Sequence, residues 1–337
     1  MTRMRIGITY DLKGEVPLCP DAPEDLQEEF DSPVTIEAIA RVLRDLGHDV
    51  RKLGDGRGLL QQLLADPPDF VFNFAEGQGT GRSREARVPA VLEMLDIPYT
   101  GSDPLTLAVT LDKDCAKRLV SSHGIKVPEA VLLPPEEAVI EVGSIHPSLF
   151  PVIVKPAWEG SSKGIRNHCL VDKPHQLRRV AQEMAEAYRQ PILIEEYIEG
   201  DELTVGIIGN AKPTVLGIMR VLPVKQTEHF VYSLEVKRDY LRQVRYECPA
   251  RLPPDAYDAV QEAAVRAFSA LGCRDVARVD FRLRDGLPYF LEVNPLPGLN
   301  PESSDLVIMA KLVGWTYPQL IRAILQAALE RHAIVTP

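Results

Sequence analysis

The stretch VARVDFRLRDGLPYFLEVN, from Val276 to Asn294, carries Arg278, Asp280, Glu292 and Asn294 within nineteen residues. Two carboxylates and a carboxamide oxygen form a hard, all-oxygen donor set suited to Mg2+. Mg2+ keeps few protein ligands and takes the rest from water and substrate phosphate. On the outgoing half, Val279, Phe281 and Leu283 alternate with Arg278, Asp280, Arg282 and Arg284. On the return, Leu287, Tyr289, Leu291 and Val293 are the apolar set, alternating with Glu292 and Asn294. That period of two describes a hairpin with one apolar face. A two-residue Asp285-Gly286 turn would put Asp280 and Glu292 on opposite faces. A three-residue Arg284-Asp285-Gly286 loop would gather Arg278, Asp280, Glu292 and Asn294 on one face. The apolar pattern predicts the second register, with Tyr289, Leu291 and Val293 in the core. By itself, the hairpin also fits a surface ribbon with solvated charges.

A second group lies in PVIVKPAWEGSSKGI, where Lys155 ends an apolar strand. The loop Glu159 to Gly164 offers two hydroxyls and a run of backbone N–H groups that can fold over phosphates. Its lysine precedes the glycines, so the spacing is not that of a Walker loop, and a plain surface turn fits the segment equally well. Lys113, in TLDKDCAKRL, follows a helical apolar run, where a lone lysine ordinarily faces water. In ILIEEYIEGDELTVGI, Glu195 and Glu196 end a buried strand and Glu202 follows in a turn. Strand-end carboxylates can accept from an adenine amino group or ribose hydroxyls, or simply sit in solvent.

The elements that must position these residues read as an α/β chain. Strands at MRIGITY, HDVRKL and DFVFNF alternate with a helix capped by Ser32 and Pro33 and stopped by Gly47, and with a helix at VPAVLEML. IPYTGS is expected to be a short strand and turn. Alternation of this kind predicts a parallel sheet covered on both faces. No GxGxxG follows the first strand, so the dinucleotide fingerprint is absent. A helix is predicted from Thr106 to His123. Strands at PVIVKP and PILIEEYI flank a helix near 175–189, and LTVGIIG and PTVLGIM form a strand pair. Helices cover 254–271 and Tyr317 to Arg331. Boundaries are predicted near 103 and 197, giving domains 1–103, 104–196 and 197–337.

A net charge of −10 without a basic stripe argues against nucleic acid or an anionic membrane as partner. Cys19, Cys115, Cys169, Cys248 and Cys273 are widely spaced and odd in number, which reads as reduced thiols rather than disulfides or a zinc site. No apolar run reaches signal-peptide or membrane-span length, and the expected location is the cytoplasm.

VFNFAEG, VPAVLEMLDIPYTGSDPLTLAVTLDKDCAKRLV, PVIVKPAWEGSSKGI, ILIEEYIEGDELTVGI, VARVDFRL and YFLEVNPLPGLNP follow one another in this order. Together they resemble the ATP-grasp ligases, and among them the D-alanine–D-alanine ligases, from about residue 70 onward. The resemblance implies an N-terminal parallel-sheet domain, then two subdomains whose antiparallel sheets sandwich ATP. It implies Lys113 and Lys155 on the phosphates, with Glu195, Glu196, Ile198 and Glu202 along adenine and ribose. It implies Asp280, Glu292 and Asn294 on two Mg2+ ions, which Mn2+ can replace. Arg278 and the backbone N–H of Gly298 would stabilise the tetrahedral intermediate. Ser161 would lie in the covering loop, Lys237 near the γ-phosphate, and Ser303 on a substrate carboxylate.

The implied reaction joins a small-molecule carboxylate to an amine through an acyl phosphate, releasing ADP and phosphate, in a homodimeric enzyme. Departures fall in the substrate half. The family's Gly-Gly-x-Ser-x-Glu segment is TYDLKGEVPLCPD here, with Glu15 as a loose stand-in. Its HGxxGEDG segment is NFAEGQGTGRSREAR, its loop tyrosine is Arg238 with Tyr240 nearby, and its terminal loop reads PLPGLNPESSD. These departures predict substrates other than two D-alanines. A genuine D-alanine–D-alanine ligase and a non-catalytic nucleotide-binding relative are the alternatives.

Overall fold

A computed structural model describes residues 3–15, 22–135, 145–225 and 227–334. Cys19 and part of the TYDLKGEVPLCPD segment lie outside the described residues. The N-terminal part contains β1 (Arg5–Tyr10), α1 (Pro33–Asp45), β2 (Asp49–Lys52), α2 (Gly56–Ala65), β3 (Phe70–Phe74) and α3 (Arg87–Met94). Its sheet is parallel, in the order β2-β1-β3, as the alternation predicted. Ser32 caps α1 by accepting from Thr35 N, with Pro33 in the first turn. Ile36, Ile39, Ala40 and Leu43 form its buried stripe. IPYTGS supplies only an isolated bridge from Tyr99 to Val71 rather than a strand.

The predicted helix from Thr106 to His123 is two helices, α4 (Pro104–Leu111) and α5 (Lys113–Ser122). Asp112 breaks the run: its backbone is extended, and its carboxylate caps α5 by accepting from Cys115 N at 3.0 Å. The central sheet follows, with β4 (Ala130–Leu133), β5 (Val152–Pro156), β6 (Leu170–Val171), α6 (Pro174–Tyr188) and β7 (Ile192–Glu196). The strands run antiparallel in the order β4-β7-β5-β6, and α6 buries Leu177, Val180, Ala181 and Met184 against them.

The last sheet is built from β8 (Asp201–Gly209), β9 (Thr214–Pro223), β10 (Val244–Glu247), β11 (Asp275–Arg284) and β12 (Leu287–Asn294), in the order β10-β9-β8-β11-β12. Its helices are α7 (Leu234–Arg238), α8 (Tyr240–Gln243), α9 (Pro254–Ala270), α10 (Asp305–Leu312) and α11 (Tyr317–Arg331). α9 closes one face of this sheet. α11 packs Leu320, Ile321, Ile324 and Leu325 into the core formed by β1, β3 and α1. Among the described residues, no helix is long and apolar enough to cross a membrane.

The β11–β12 hairpin reaches the expected face by an unexpected route. Its turn has two residues, not three: Arg284 pairs with Leu287, and Asp285 and Gly286 are both left-handed, at φ 52° and 75°. Asp-Gly is the pair that tolerates such a turn. The register then shifts between Asp280 and Phe281. Phe281 faces Phe290, whereas Asp280 faces Glu292, so Leu291 is an extra residue, a β-bulge. Turn-side of the bulge, Phe290 fills the core against Phe281, rings 6.0 Å apart. Tyr289 and Leu291, expected in the core, are only half-buried; Val293 is buried as expected.

Candidate active site

The bulge sets Asp280 opposite Glu292 and Arg278 opposite Asn294 on one face of the last sheet. Arg278 is 8% exposed and is forked onto Asp280, with Nε to Oδ1 at 3.1 Å and Nη2 to Oδ2 at 3.0 Å. Its other arm lies 3.5 Å from Asp305. Burial works against the guanidinium charge, but Asp280 and Asp305 raise its pKa, so it stays cationic. Thr204 Oγ1 donates to Asp280 at 2.6 Å, and Asn294 Nδ2 lies 3.2 Å from the other carboxylate oxygen.

The break at Asp112 makes Lys113 the first residue of α5 and turns it inward rather than to solvent. It is 5% exposed, 3.2 Å from Glu292, and also donates to Glu159 O. Burial would raise the Glu292 carboxyl, but Lys113, Lys237, Lys155 and Arg278 together hold it well below the usual carboxylate range. Glu292 is therefore ionised. Asp280, Glu292 and Asn294 offer oxygen donors only; Glu292 keeps lone pairs beyond its contact with Lys113, whereas Thr204, Arg278 and Asn294 occupy those of Asp280, so a cation there would displace one of these contacts. This donor set fits a hard divalent cation.

Two cavities flank this face. The first is a cleft between the central and last sheets. Lys155, Glu195, Glu196 and Ile198 line one side, and Glu202 and Leu291 the other. Lys155 pairs with Glu195, and Lys117 lies 2.9 Å from the same carboxylate. Burial pushes the Lys117 ammonium down to about 8 against the pull of Glu195. Glu196 pairs with Arg284, and Glu202 lies 3.6 Å from Arg282. Burial raises the Glu202 carboxyl despite that arginine.

The second cavity, about 300 Å3, opens toward the N-terminal sheet and is lined by Ser161, Gly298 and Ser303 among others. Arg278, Glu292 and Lys237 line both cavities. Lys237 sits 5.1 Å above the Tyr232 ring. Ser161 is held left-handed at φ 50°, and its neighbour Ser162 donates to Tyr232 O at 3.2 Å, so the glycine loop leans on the last domain. Glu15 is not brought in with the others: it lies exposed in the turn after β1 and lines neither cavity.

Two networks were not singled out in the sequence. The Tyr232 and Tyr246 hydroxyls lie 2.5 Å apart, and both are within hydrogen-bond distance of Asp305 Oδ1, at 3.1 and 3.3 Å, so their two protons are shared over three contacts; Asp305 is the first residue of α10 and a partner of Arg278. The acidic start of α10 is its only local signal. The other network straps the N-terminal domain to the glycine loop. Glu29 accepts from Arg84 at 2.8 Å, from Lys163 at 2.8 Å and from Gly160 N at 2.5 Å. Asp25 accepts from Gly164 N at 3.0 Å and from Tyr188.

Burial alone would raise the Glu29 carboxyl, but Lys163 and Arg84 hold it below its ordinary 4.5. Its stabilisation is therefore full above that unfolded value and disappears as pH falls through the lower folded one. Glu29→Ala, which leaves two buried cations, Arg84 and Lys163, to share the single carboxylate of Glu159, is expected to cost about 3–5 kcal/mol in urea unfolding at neutral pH. A cost below about 1 kcal/mol would contradict this account.

A family model described as "D-ala D-ala ligase C-terminus" matches residues 119–326. The D-alanine–D-alanine ligase of Aquifex aeolicus is 34% identical over 293 residues, covering 86% of this chain and 93% of its own. An uncharacterized protein of Sinorhizobium fredii, y4sG, is 35% identical over 307 residues, 88% of either chain. The crystal structure of Bacillus anthracis D-alanine–D-alanine ligase complexed with ATP superposes with a TM-score of 0.73 at 24% identity. That match covers 99% of this chain and 100% of the other, and it establishes a shared fold.

Proposed function

The chain belongs to the D-alanine–D-alanine ligase family of ATP-grasp enzymes, and from that premise we propose that it joins an amino-acid-like acid to an amine other than two D-alanines. Family membership makes it an ATP- and divalent-metal-dependent carboxylate–amine ligase. The observation that carries the reading is the junction of the two cavities at Arg278, Glu292 and Lys237. A nucleotide in the inter-sheet cleft would present its terminal phosphate there, to an acid held in the larger cavity.

The substrate carboxylate attacks that phosphate, giving an acyl phosphate and ADP; the amine then attacks the acyl carbon and phosphate leaves. Lys113, Lys155 and Lys237 neutralise the phosphates so that an anionic carboxylate can approach. Asp280, Glu292 and Asn294 would hold Mg2+, which screens the triphosphate charge. Glu195, Glu196, Ile198 and Glu202 would line the adenine and ribose. Arg278 and the Gly298 N–H face the oxyanion that forms as the amine adds. Ser161 and its loop exclude water from the acyl phosphate. Ser303 would bind a substrate carboxylate.

We also propose two Mg2+ ions with Mn2+ as substitute, a cytoplasmic homodimer, and the division at 103 and 197, which is supported by the three separate sheets. A different substrate pair is favoured because Glu15 lies outside the cavity and Arg238 pairs with Glu28 at 2.9 Å. A D-alanine–D-alanine ligase is the second reading, favoured by the Aquifex relative. ADP and phosphate release, measured with Mg-ATP and a panel of single and paired amino acids, decides. Turnover with D-alanine alone overturns our preference, and ATP binding without turnover on any pair overturns ligase function. Glu292→Gln is expected to raise the Mg2+ concentration for half-maximal rate about tenfold or more. An unchanged Mg2+ titration would remove Glu292 from the metal site.

A further inference from the structure

Arg278 keeps one arm unbonded. Its Nε and Nη2 are hydrogen-bonded to Asp280, whereas Nη1 makes no hydrogen bond with any described residue. Asp305 faces that arm but stops at 3.5 Å. Both residues are 8% exposed. A buried guanidinium–carboxylate pair ordinarily closes to about 2.8 Å, and 3.5 Å lies beyond the usual N–H···O range.

Asp305 is held from its other side. Its Oδ1 lies 3.1 Å from the Tyr232 hydroxyl and 3.3 Å from that of Tyr246, and the two hydroxyls lie 2.5 Å apart. Two protons serve these contacts best when Tyr246 donates to Tyr232 and Tyr232, the nearer, donates to Asp305. Burial and Asp305 raise both hydroxyls above their ordinary 10, so both keep their protons. Tyr232 is itself fixed. Its carbonyl accepts from Ser162, its ring lies under Lys237, and it packs with Tyr246 beside Val221, Val236 and Val244. Tyr232, Asp305 and Arg278 each line both cavities.

We propose that Tyr232 is a positioning residue that holds Asp305 off Arg278, so that Nη1 stays free to donate to the oxyanion formed during ligation. The identity of that oxyanion rests on the ligase reading; the restraint on Asp305 does not. At 3.5 Å the Asp305 charge steadies the guanidinium without consuming a donor. Released from Tyr232, the carboxylate would close onto Nη1 as a charge-assisted pair and occupy the arm. Arg278 would keep its charge and lose its function. Losing the tyrosine hydroxyl is therefore harmful only while Asp305 is a carboxylate.

That dependence is tested with inorganic phosphate, which offers an oxyanion to the junction whichever acid and amine the enzyme joins. Phosphate binding to the whole protein loaded with Mg-ADP is measured by calorimetry. Tyr232→Phe keeps the ring and its packing, and is expected to weaken phosphate binding about tenfold while Mg-ADP affinity stays within about twofold. In the Asp305→Asn background the same substitution is expected to cost less than about twofold, because the neutral amide does not capture the guanidinium. A merely structural tyrosine would cost the same in both backgrounds, and that result overturns the proposal. So do unchanged phosphate binding in Tyr232→Phe, a parallel loss of Mg-ADP affinity, or no phosphate binding by the parent chain up to tens of millimolar. ADP release in the substrate panel judges the ligase reading separately, and kcat there is expected to follow the same background-dependent pattern.

Discussion

Arg278→Lys is expected to lower kcat about a hundredfold or more while ATP affinity changes by only a few fold. Two carboxylates from different elements hold the guanidinium: Asp280 across two nitrogens, and Asp305 at the far arm. Lysine keeps the charge but offers a point in place of a planar fork, so it cannot satisfy both carboxylates at once. The released ammonium would settle on one carboxylate and leave the developing oxyanion without a fixed donor. Because Arg278 lines both cavities, the loss should appear in the chemical step rather than in nucleotide capture. Single-turnover ADP formation, set beside ATP binding by calorimetry, separates the two. A loss below about tenfold in the chemical step would mean that Arg278 only organises Asp280 and Asp305.

Asp305 also explains where sequence reading stops. Arg278, Asp280, Glu292 and Asn294 were legible together because they share one short hairpin with a period of two. Lys113 was legible as a residue but not as a buried one. A continuous helix over 106–123 would leave it in water, and only the cap at Asp112 redirects it. The local sign was present in TLDKDC, since aspartate competes with the helix backbone and favours the cap. Arg84 had no such sign. It meets Glu29 and Glu159 across 55 and 75 residues of sequence, and no local pattern encodes that meeting. The three-layer arrangement of the first sheet was legible from alternation, but the docking of α11 on β1 and β3 was not, because an amphipathic helix does not specify which apolar surface it covers.

The hairpin yields the sharpest test, since its expected face was right and its expected turn was wrong. In the ladder that runs back from a two-residue turn, the residue opposite Asp280 would be the one after Phe290. As the chain stands that residue is Leu291, and the bulge is what passes the position to Glu292. Deleting Leu291 should therefore do little harm: a regular ladder then places Glu292 opposite Asp280 without any bulge. Activity within about tenfold of the parent is expected, the loss coming from the Leu291 surface in the inter-sheet cleft and from its carbonyl, which accepts from Lys117 at 2.6 Å. Deleting Val293 should be far worse. The register up to Glu292 is kept, but Asn294 moves to the core face opposite Val279, where an amide has no partner and the metal face loses a donor. Metal-dependent ADP formation is expected to fall to background, with circular dichroism reporting whether the fold survives. Should the two deletions cost the same, or should loss of Leu291 alone abolish the Mg2+ response, Leu291 is not the residue that sets the register, and the metal face depends on some other feature of the strand.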